Sequence, residues 1–301
     1  METILTQVFN GISLGSIMLL IALGLAITFG LMNVINMAHG ELIMVGAYMT
    51  YVTQIIFSQY LPSSLFGAYF LVAIPIAFIV AALIGLLLER YLIRYLYGRP
   101  LDSLLATWGI SLILQQVARS IFGASNVAIT SPEWLNGGLT VMGTVTFPYK
   151  RLFILFLVFS CLAALYLYLY RTTAGRRMQA VTLNRGMASC LGISTRKVDA
   201  YAFGLGSGLA GVAGCALTLI GPIGPMIGSY YIVDSFMVVV LGGVGKLIGT
   251  VAGGLSMGLL GTFFEYTTSA TLAKVLVFTL IIAFLQWKPS GIVSVRTRTL
   301  D

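Results

Sequence analysis

The chain has 301 residues, of which 58% are apolar and only 9% are charged, and its mean hydropathy is +0.99. A water-soluble protein carries about 25% charged residues, so this composition excludes a soluble globular protein. A spanning helix uses about 20 residues, and the length therefore allows roughly eight to ten membrane spans with no sizeable domain outside them. The composition predicts an all-α polytopic membrane protein that forms a single transmembrane domain over residues 1–301.

The net charge of +8 does not indicate nucleic-acid binding, because most of the basic residues lie in three stretches that flank apolar runs. Those residues are Arg90, Arg94 and Arg99; Arg171, Arg176, Arg177, Arg185, Arg196 and Lys197; and Lys288, Arg296 and Arg298. Short basic loops stay on the cytoplasmic side during insertion. We therefore expect all three stretches on that side and no nucleic-acid partner.

Apolar runs long enough to span the bilayer predict about nine helical elements. They cover residues 8–31, 36–57, 66–88, 103–122, 151–170, 199–221 and 271–287, and the stretch 229–264 holds two more. Gly242 to Lys246 divides that stretch into a shorter element and a full span, because its glycines break the helix. Near Asn36 the chain could begin either a full span or a re-entrant half-helix, since no basic residue orients the first 89 positions.

One predicted extracytoplasmic segment, from about residue 123 to 150, is longer than a turn. Asn136-Gly137-Gly138 has the composition of a hairpin turn, and the residues from Leu139 to Phe147 are β-prone and partly alternating. We expect a small β-hairpin here. It could be a connector between spans or a docking surface for a partner.

Glycines recur at helical spacing in several predicted spans and predict close helix packing. The sets are Gly11 and Gly15; Gly204, Gly208, Gly211 and Gly214; and Gly245, Gly249 and Gly253. The chain is poor in reactive groups, because it has one His and nine acidic residues, most of them beside loops. We predict no catalytic residue, no metal site and no cofactor in this chain. The run that ends at Lys246 is followed by Leu247, where a phosphate-binding loop needs Ser or Thr.

Two apolar neighbourhoods contain ionisable groups, which are costly inside a membrane and often functional there. In the first, Asn36 could simply cap a helix whose first turn carries Glu41, or the helix could begin at a polar translocation path with His39 and Glu41. His39 and Glu41 are two residues apart, so at most one of them would line the path. In the second, Asp234 could be a first-turn acid or a path residue, and the two motifs could be traces of duplicated halves.

The basic loop over about 171–198 contains the pattern of a short amphipathic helix. Asn184 can cap it, Met187 and Leu191 are four residues apart with Ala188 beside them, and Gly192 can end it. An isolated helix this short has only marginal stability in water. We therefore expect its apolar face to be covered by the protein's own spans or by a separate subunit.

These motifs together resemble the permeases of bacterial ABC importers for branched-chain amino acids and urea. The resemblance covers nearly the whole chain, and residues 104–111 and 132–135 are most similar to the urea branch. The stretches that carry it are residues 30–41, 46–48, 187–193 and 241–245.

The resemblance implies a multi-pass subunit of the bacterial inner membrane that imports a small polar solute. It implies a second homologous permease, two cytoplasmic ATPase subunits that bind the ATP, and an extracytoplasmic binding protein. Residues 184–192, with Arg185, Met187, Ala188, Leu191 and Gly192, would then be the helix that docks on an ATPase. Urea is the expected substrate and a branched-chain amino acid the near alternative. A stand-alone secondary transporter or channel, coupled to ions through Glu41, His39 or Asp234, is the alternative from another class.

Overall fold

The computed structural model describes residues 2–32, 34–60, 62–141 and 145–293. In these ranges the chain forms eleven α-helices, and eight of them are long and apolar enough to cross a membrane. The expectation of an all-α polytopic membrane protein is therefore confirmed. The motif residue Asn33, the centre of the predicted hairpin at 142–144 and the basic residues Arg296 and Arg298 lie outside the described residues.

The elements follow one another with short connections. The helices are α1 Glu2–Met32, α2 His39–Tyr60, α3 Tyr69–Tyr91, α4 Pro100–Phe122, α5 Tyr149–Arg171, α6 Thr173–Leu183, α7 Arg185–Cys190, α8 Thr195–Leu217, α9 Ile227–Gly242, α10 Leu247–Thr267 and α11 Ala270–Trp287. Two strands, β1 Gly138–Val141 and β2 Val145–Pro148, and three 3₁₀ turns, Ser63–Ala68, Ile93–Tyr95 and Glu133–Leu135, complete the described chain.

The predicted division of residues 229–264 is confirmed. α9 has 16 residues and α10 has 21, so a shorter element precedes a full span. The helix ends at Gly242 because the next turn uses positive φ angles at Gly243 (+97°) and Gly245 (+80°), which glycine adopts without strain.

The predicted hairpin forms, but its turn is not where we expected it. β1 and β2 pair antiparallel, with Val141 opposite Val145, so the reversal falls between these two residues. Asn136 and Gly137 precede β1 instead, and Gly137 links it to the 3₁₀ turn with a φ of +117°. The Asn-Gly pair therefore does mark a bend in the chain, but this bend lies before the first strand of the hairpin rather than between its two strands.

The structure also orients the N-terminal helix. The ring of Phe9 in α1 lies 4.3 Å from that of Phe147 in β2, so α1 begins on the side of the hairpin. Its other end lies beside the turn between α9 and α10, because a Cβ added to Gly30 would be 2.5 Å from the Cα of Gly245. We expect the basic loops on the cytoplasmic side, and on that expectation α1 runs from outside to inside.

The centre of the bundle is α8, which is buried along most of its length between α1, α2 and α3. Here glycines let the helix backbones touch. A Cβ at Gly46 of α2 would overlap the carbonyl oxygen of Gly211 in α8, and one at Gly15 of α1 would lie 2.7 Å from that of Gly254 in α10. The prediction that the glycine sets serve helix packing is confirmed at these positions.

Candidate translocation path and coupling surface

The break between α1 and α2 lies inside the helix bundle. α1 ends at Met32 and α2 begins at His39, several residues later than expected. In the non-helical link, the side-chain oxygen of Asn36 accepts the N–H of Ala38 at 3.0 Å, and the N–H of Met37 donates to the hydroxyl of Thr107 at 3.1 Å. Thr107 belongs to α4. Polar side chains thus satisfy two backbone N–H groups of the link, as a membrane interior requires.

Glu41, in the first turn of α2, lies in a buried polar cluster. Its Oε1 accepts hydrogen bonds from the hydroxyl of Ser111 at 2.9 Å, the side-chain amide of Gln115 at 2.8 Å and the hydroxyl of Ser229 at 3.4 Å. The side chain is 1% exposed, and its Oε2 has no hydrogen-bond partner. Ser111 and Gln115 lie in the middle of α4, so α2 begins well within the depth of that span.

His39 faces the opposite side of α2. It is fully buried, and its Nε2 lies 3.2 Å from the carbonyl oxygen of Ile21 in α1. The expectation that His39 and Glu41 face different sides is therefore confirmed. Only Glu41 points to the cluster between α2, α4 and α9.

The sequence reasoning missed the partners of Glu41. One face of α4 carries four buried polar residues at a spacing of four: Ser103, Thr107, Ser111 and Gln115. The other faces of this span are largely apolar and exposed, so a spacing of four places these polar residues in one stripe. This spacing is visible in the sequence and could have predicted the stripe. Ser229 gives no such signal, because it is a single hydroxyl beside an apolar run.

Asp234 belongs to a different place. Its carboxylate accepts a hydrogen bond from Nζ of Lys274 in α11 at 3.1 Å, beside a small cavity of about 120 Å³ that Glu265 also lines. On α9, Asp234 follows Ser229 by five residues, which turns it about 140° away from the side that faces Glu41. The structure does not bring the two acidic motifs together.

The short helix that we expect on the cytoplasmic side is α7, and its ends match the predicted pattern. The side-chain oxygen of Asn184 accepts the N–H of Met187 at 2.9 Å, and Gly192 ends the turn with a φ of +80°. Ala188 is buried, but Met187 is 60% exposed and Leu191, just past the last helical residue, is 74% exposed. Met187 and Leu191 thus form an exposed apolar row. Leu183, the last residue of α6, is also exposed and was missed, but the extended backbone at Asn184 separates it from this row.

Arg185 does not join that exposed row. Its guanidinium pairs with the carboxylate of Asp199 in α8 and lies 5.3 Å from the ring centre of Tyr97. The Tyr97 hydroxyl donates to Glu89 at 3.0 Å. Burial raises the pKa of Tyr97, and the nearby carboxylates of Asp199 and Glu89 raise it further, so this hydroxyl stays protonated as a donor. Arg185 therefore fastens α7 to the inner ends of α3 and α8.

With this geometry known, comparison with other proteins identifies the family. The family model described as the permease component of the branched-chain amino acid transport system matches residues 7–285. The chain belongs to this family. It is accordingly a transport subunit rather than an enzyme, and a multi-pass protein of the inner membrane.

Individual relatives cover nearly the whole chain. It is 32% identical over 296 residues to the high-affinity branched-chain amino acid transport system permease protein LivH of Salmonella typhimurium. This alignment covers 96% of the present chain and 94% of LivH. The chain is 31% identical over 294 residues to the permease protein BraD of Pseudomonas aeruginosa (96% and 95%) and 29% identical over 304 residues to a probable LivH of Methanocaldococcus jannaschii (95% and 91%). No solved structure matches the chain.

These relatives carry the names of branched-chain amino acid permeases, and their names do not mention urea. The expected family is confirmed. The narrower expectation of the urea branch finds no support in them, and the alternative substrate fits better.

Proposed function

We propose that this chain is the membrane subunit that moves a branched-chain amino acid into the cytoplasm, driven by partner ATPase subunits. The names of the family and of the relatives support this substrate over urea. The observation that carries the proposal is the buried polar break between α1 and α2. A helix that begins inside a bundle, with a carboxylate at its first turn, is the kind of element that transporters use at a substrate path.

In this proposal the path runs past the cluster of Glu41, Ser111, Gln115 and Ser229. Asn36 shapes the entry of α2, and His39 holds α2 against α1. Asp234 pairs with Lys274 and stays off the path, although a path role was one of the two that the sequence left open.

The coupling surface is the exposed apolar row of Met187 and Leu191, and the exposed Leu183 precedes it at the end of α6. Apolar side chains at the cytoplasmic end of a membrane protein have no lipid to cover them, so a protein partner accounts for their exposure. We propose that each of two ATPase subunits covers such a row, one on this chain and one on a second homologous permease. Arg185 and Ala188 attach α7 to the bundle, and Gly192 ends it. An extracytoplasmic binding protein delivers the substrate.

The proposal is tested by uptake in vesicles that contain this chain, the second permease and both ATPases, with substrate supplied by the binding protein. We expect ATP-dependent uptake of labelled leucine and no comparable uptake of labelled urea. Uptake of urea in preference to leucine would overturn the substrate. Leucine uptake by this chain alone, under an ion gradient and without ATP, would favour the stand-alone transporter.

A further inference from the structure

Glu41 differs from the other buried acids of the described chain in its partners. Asp199 and Asp234 each form an ion pair with a basic side chain, and Glu89, which accepts a hydrogen bond from the neutral Tyr97 hydroxyl, lies within electrostatic range of Arg94. Glu41 has hydrogen bonds from neutral groups alone, and the described residues provide no basic side chain to pair with it. All three bonds end on Oε1, which leaves Oε2 buried and without a partner.

A buried carboxylate without a positive partner is strongly unfavourable in a low-dielectric interior. Two helix N-termini lower that cost here. Glu41 lies in the first turn of α2 and its partner Ser229 lies in the first turn of α9, so the positive ends of both helix dipoles are close to the same carboxylate. The two first turns also touch, because a Cβ at Gly40 or at Gly228 would overlap the other residue's carbonyl oxygen.

The cluster lies just below the surface of the chain. Ser229 is exposed, although the Glu41 carboxylate that it contacts is buried. On the same face of α9, three apolar side chains are exposed on either side of Ser229: Met226, Tyr230 and Val233. The Glu41 carboxylate, one of whose oxygens has no partner, therefore lies beneath one exposed hydroxyl, next to an apolar strip.

We propose that Oε2 of Glu41 binds the α-ammonium group of the transported amino acid, and that Met226, Tyr230 and Val233 contact its branched side chain. A primary ammonium supplies the positive charge and the hydrogen-bond donors that Oε2 lacks. The apolar strip fits an aliphatic side chain and offers nothing to urea, which is neutral and polar throughout. This inference rests on the proposed function, because it requires a substrate with an ammonium group.

The test compares two substitutions at Glu41 with a matched control. Glu41→Gln keeps the size and the acceptor oxygen for Ser111 but removes the charge, and Glu41→Asp keeps the charge. Glu265→Gln makes the same chemical change at an exposed position of α10. Each variant is assembled with its partner subunits in vesicles, and leucine-loaded binding protein is added. Leucine uptake and ATP hydrolysis are then measured in the same sample.

We expect Glu41→Gln to lower leucine uptake by at least about tenfold, since a charged hydrogen bond is lost. Assembly and the stimulation of ATP hydrolysis by the loaded binding protein should persist, so the ATP hydrolysed per leucine rises by a similar factor. Glu41→Asp should recover part of the uptake, and Glu265→Gln should match the wild type.

Normal leucine uptake by Glu41→Gln would overturn the ammonium site and leave the proposed function intact. Loss of assembly or of stimulated ATP hydrolysis in both Glu41 variants would also overturn it, because Glu41 would then serve the fold. A wild-type assembly that moves no leucine would instead reject the proposed function.

Discussion

The guanidinium of Arg185, the first residue of α7, forms an ion pair with the carboxylate of Asp199 in the second turn of α8. Asp199 is fully buried, whereas Arg185 is partly exposed. The pair is the only ion pair in the described residues that joins α7 to a membrane span. A displacement of α7 is therefore transmitted through this contact to α8, the central helix of the bundle.

Removing one partner of this pair should loosen α7. Arg185→Ala leaves the Asp199 carboxylate buried without a counter-charge, and we expect a loss of roughly 1–3 kcal/mol, less than for a fully buried pair because Arg185 is partly exposed. Thermal melting of the purified protein measures the loss. The double variant with Asp199→Asn should regain much of it, and an equal loss in the single and double variants would contradict the pairing.

A charge on the exposed apolar row should prevent ATPase binding and leave the fold intact. Leu191→Asp places a carboxylate where the partner's apolar surface would pack, so we expect loss of ATPase co-purification and of leucine uptake. Ser189→Asp is the matched control, because it adds the same charge on the opposite face of α7. Normal ATPase binding by Leu191→Asp would show that the row is not the coupling surface.

A methyl group at the contact of α2 with α8 should be poorly tolerated. At Gly46 the added Cβ would overlap the backbone of Gly211, so Gly46→Ala must push the two helices apart, at a cost of about 1–3 kcal/mol. Gly109→Ala in α4 is the control, since nothing lies within 4 Å of its added Cβ. The melting temperatures of the two variants give the comparison. Similar values would mean that the contact is less tight than described.

The chain should be inactive on its own. Asp234 is already paired with Lys274, and the polar break offers one unpaired carboxylate, so no chain of titratable groups links the two sides through the described residues. We expect no leucine flux above that of empty vesicles when the purified chain is reconstituted alone with a proton or sodium gradient. A flux that depends on the gradient would contradict this expectation.

Local patterns were sufficient to predict several features. The break at Gly242, the cap of α7 at Asn184 and the opposite directions of His39 and Glu41 each depend on residues within one or two turns of one another. Hydropathy placed the spans because a helix must cross about 30 Å of hydrocarbon wherever it packs.

Contacts between distant residues could not be predicted. Glu41 meets Ser111 and Ser229, which are 70 and 188 residues further along the chain, and no periodicity joins them. Lys274 is 40 residues from Asp234, so the sequence left Asp234 without a partner and suggested a path residue. The hairpin turn was misplaced because Asn136-Gly137-Gly138 has a stronger turn composition than Met142-Gly143-Thr144, the sequence between the paired residues Val141 and Val145.

The distance between Glu41 and Ser229 along the chain has a consequence for biosynthesis. At about 5–20 residues per second, a ribosome needs on the order of ten to forty seconds to make the 188 residues that separate them. During that time α9 has not been made, so the Glu41 carboxylate at the start of α2 lacks its partner Ser229. A carboxylate in that state is unfavourable in the hydrocarbon of the membrane. Until the last quarter of the protein has been made, water or polar groups of the insertion machinery must solvate this carboxylate.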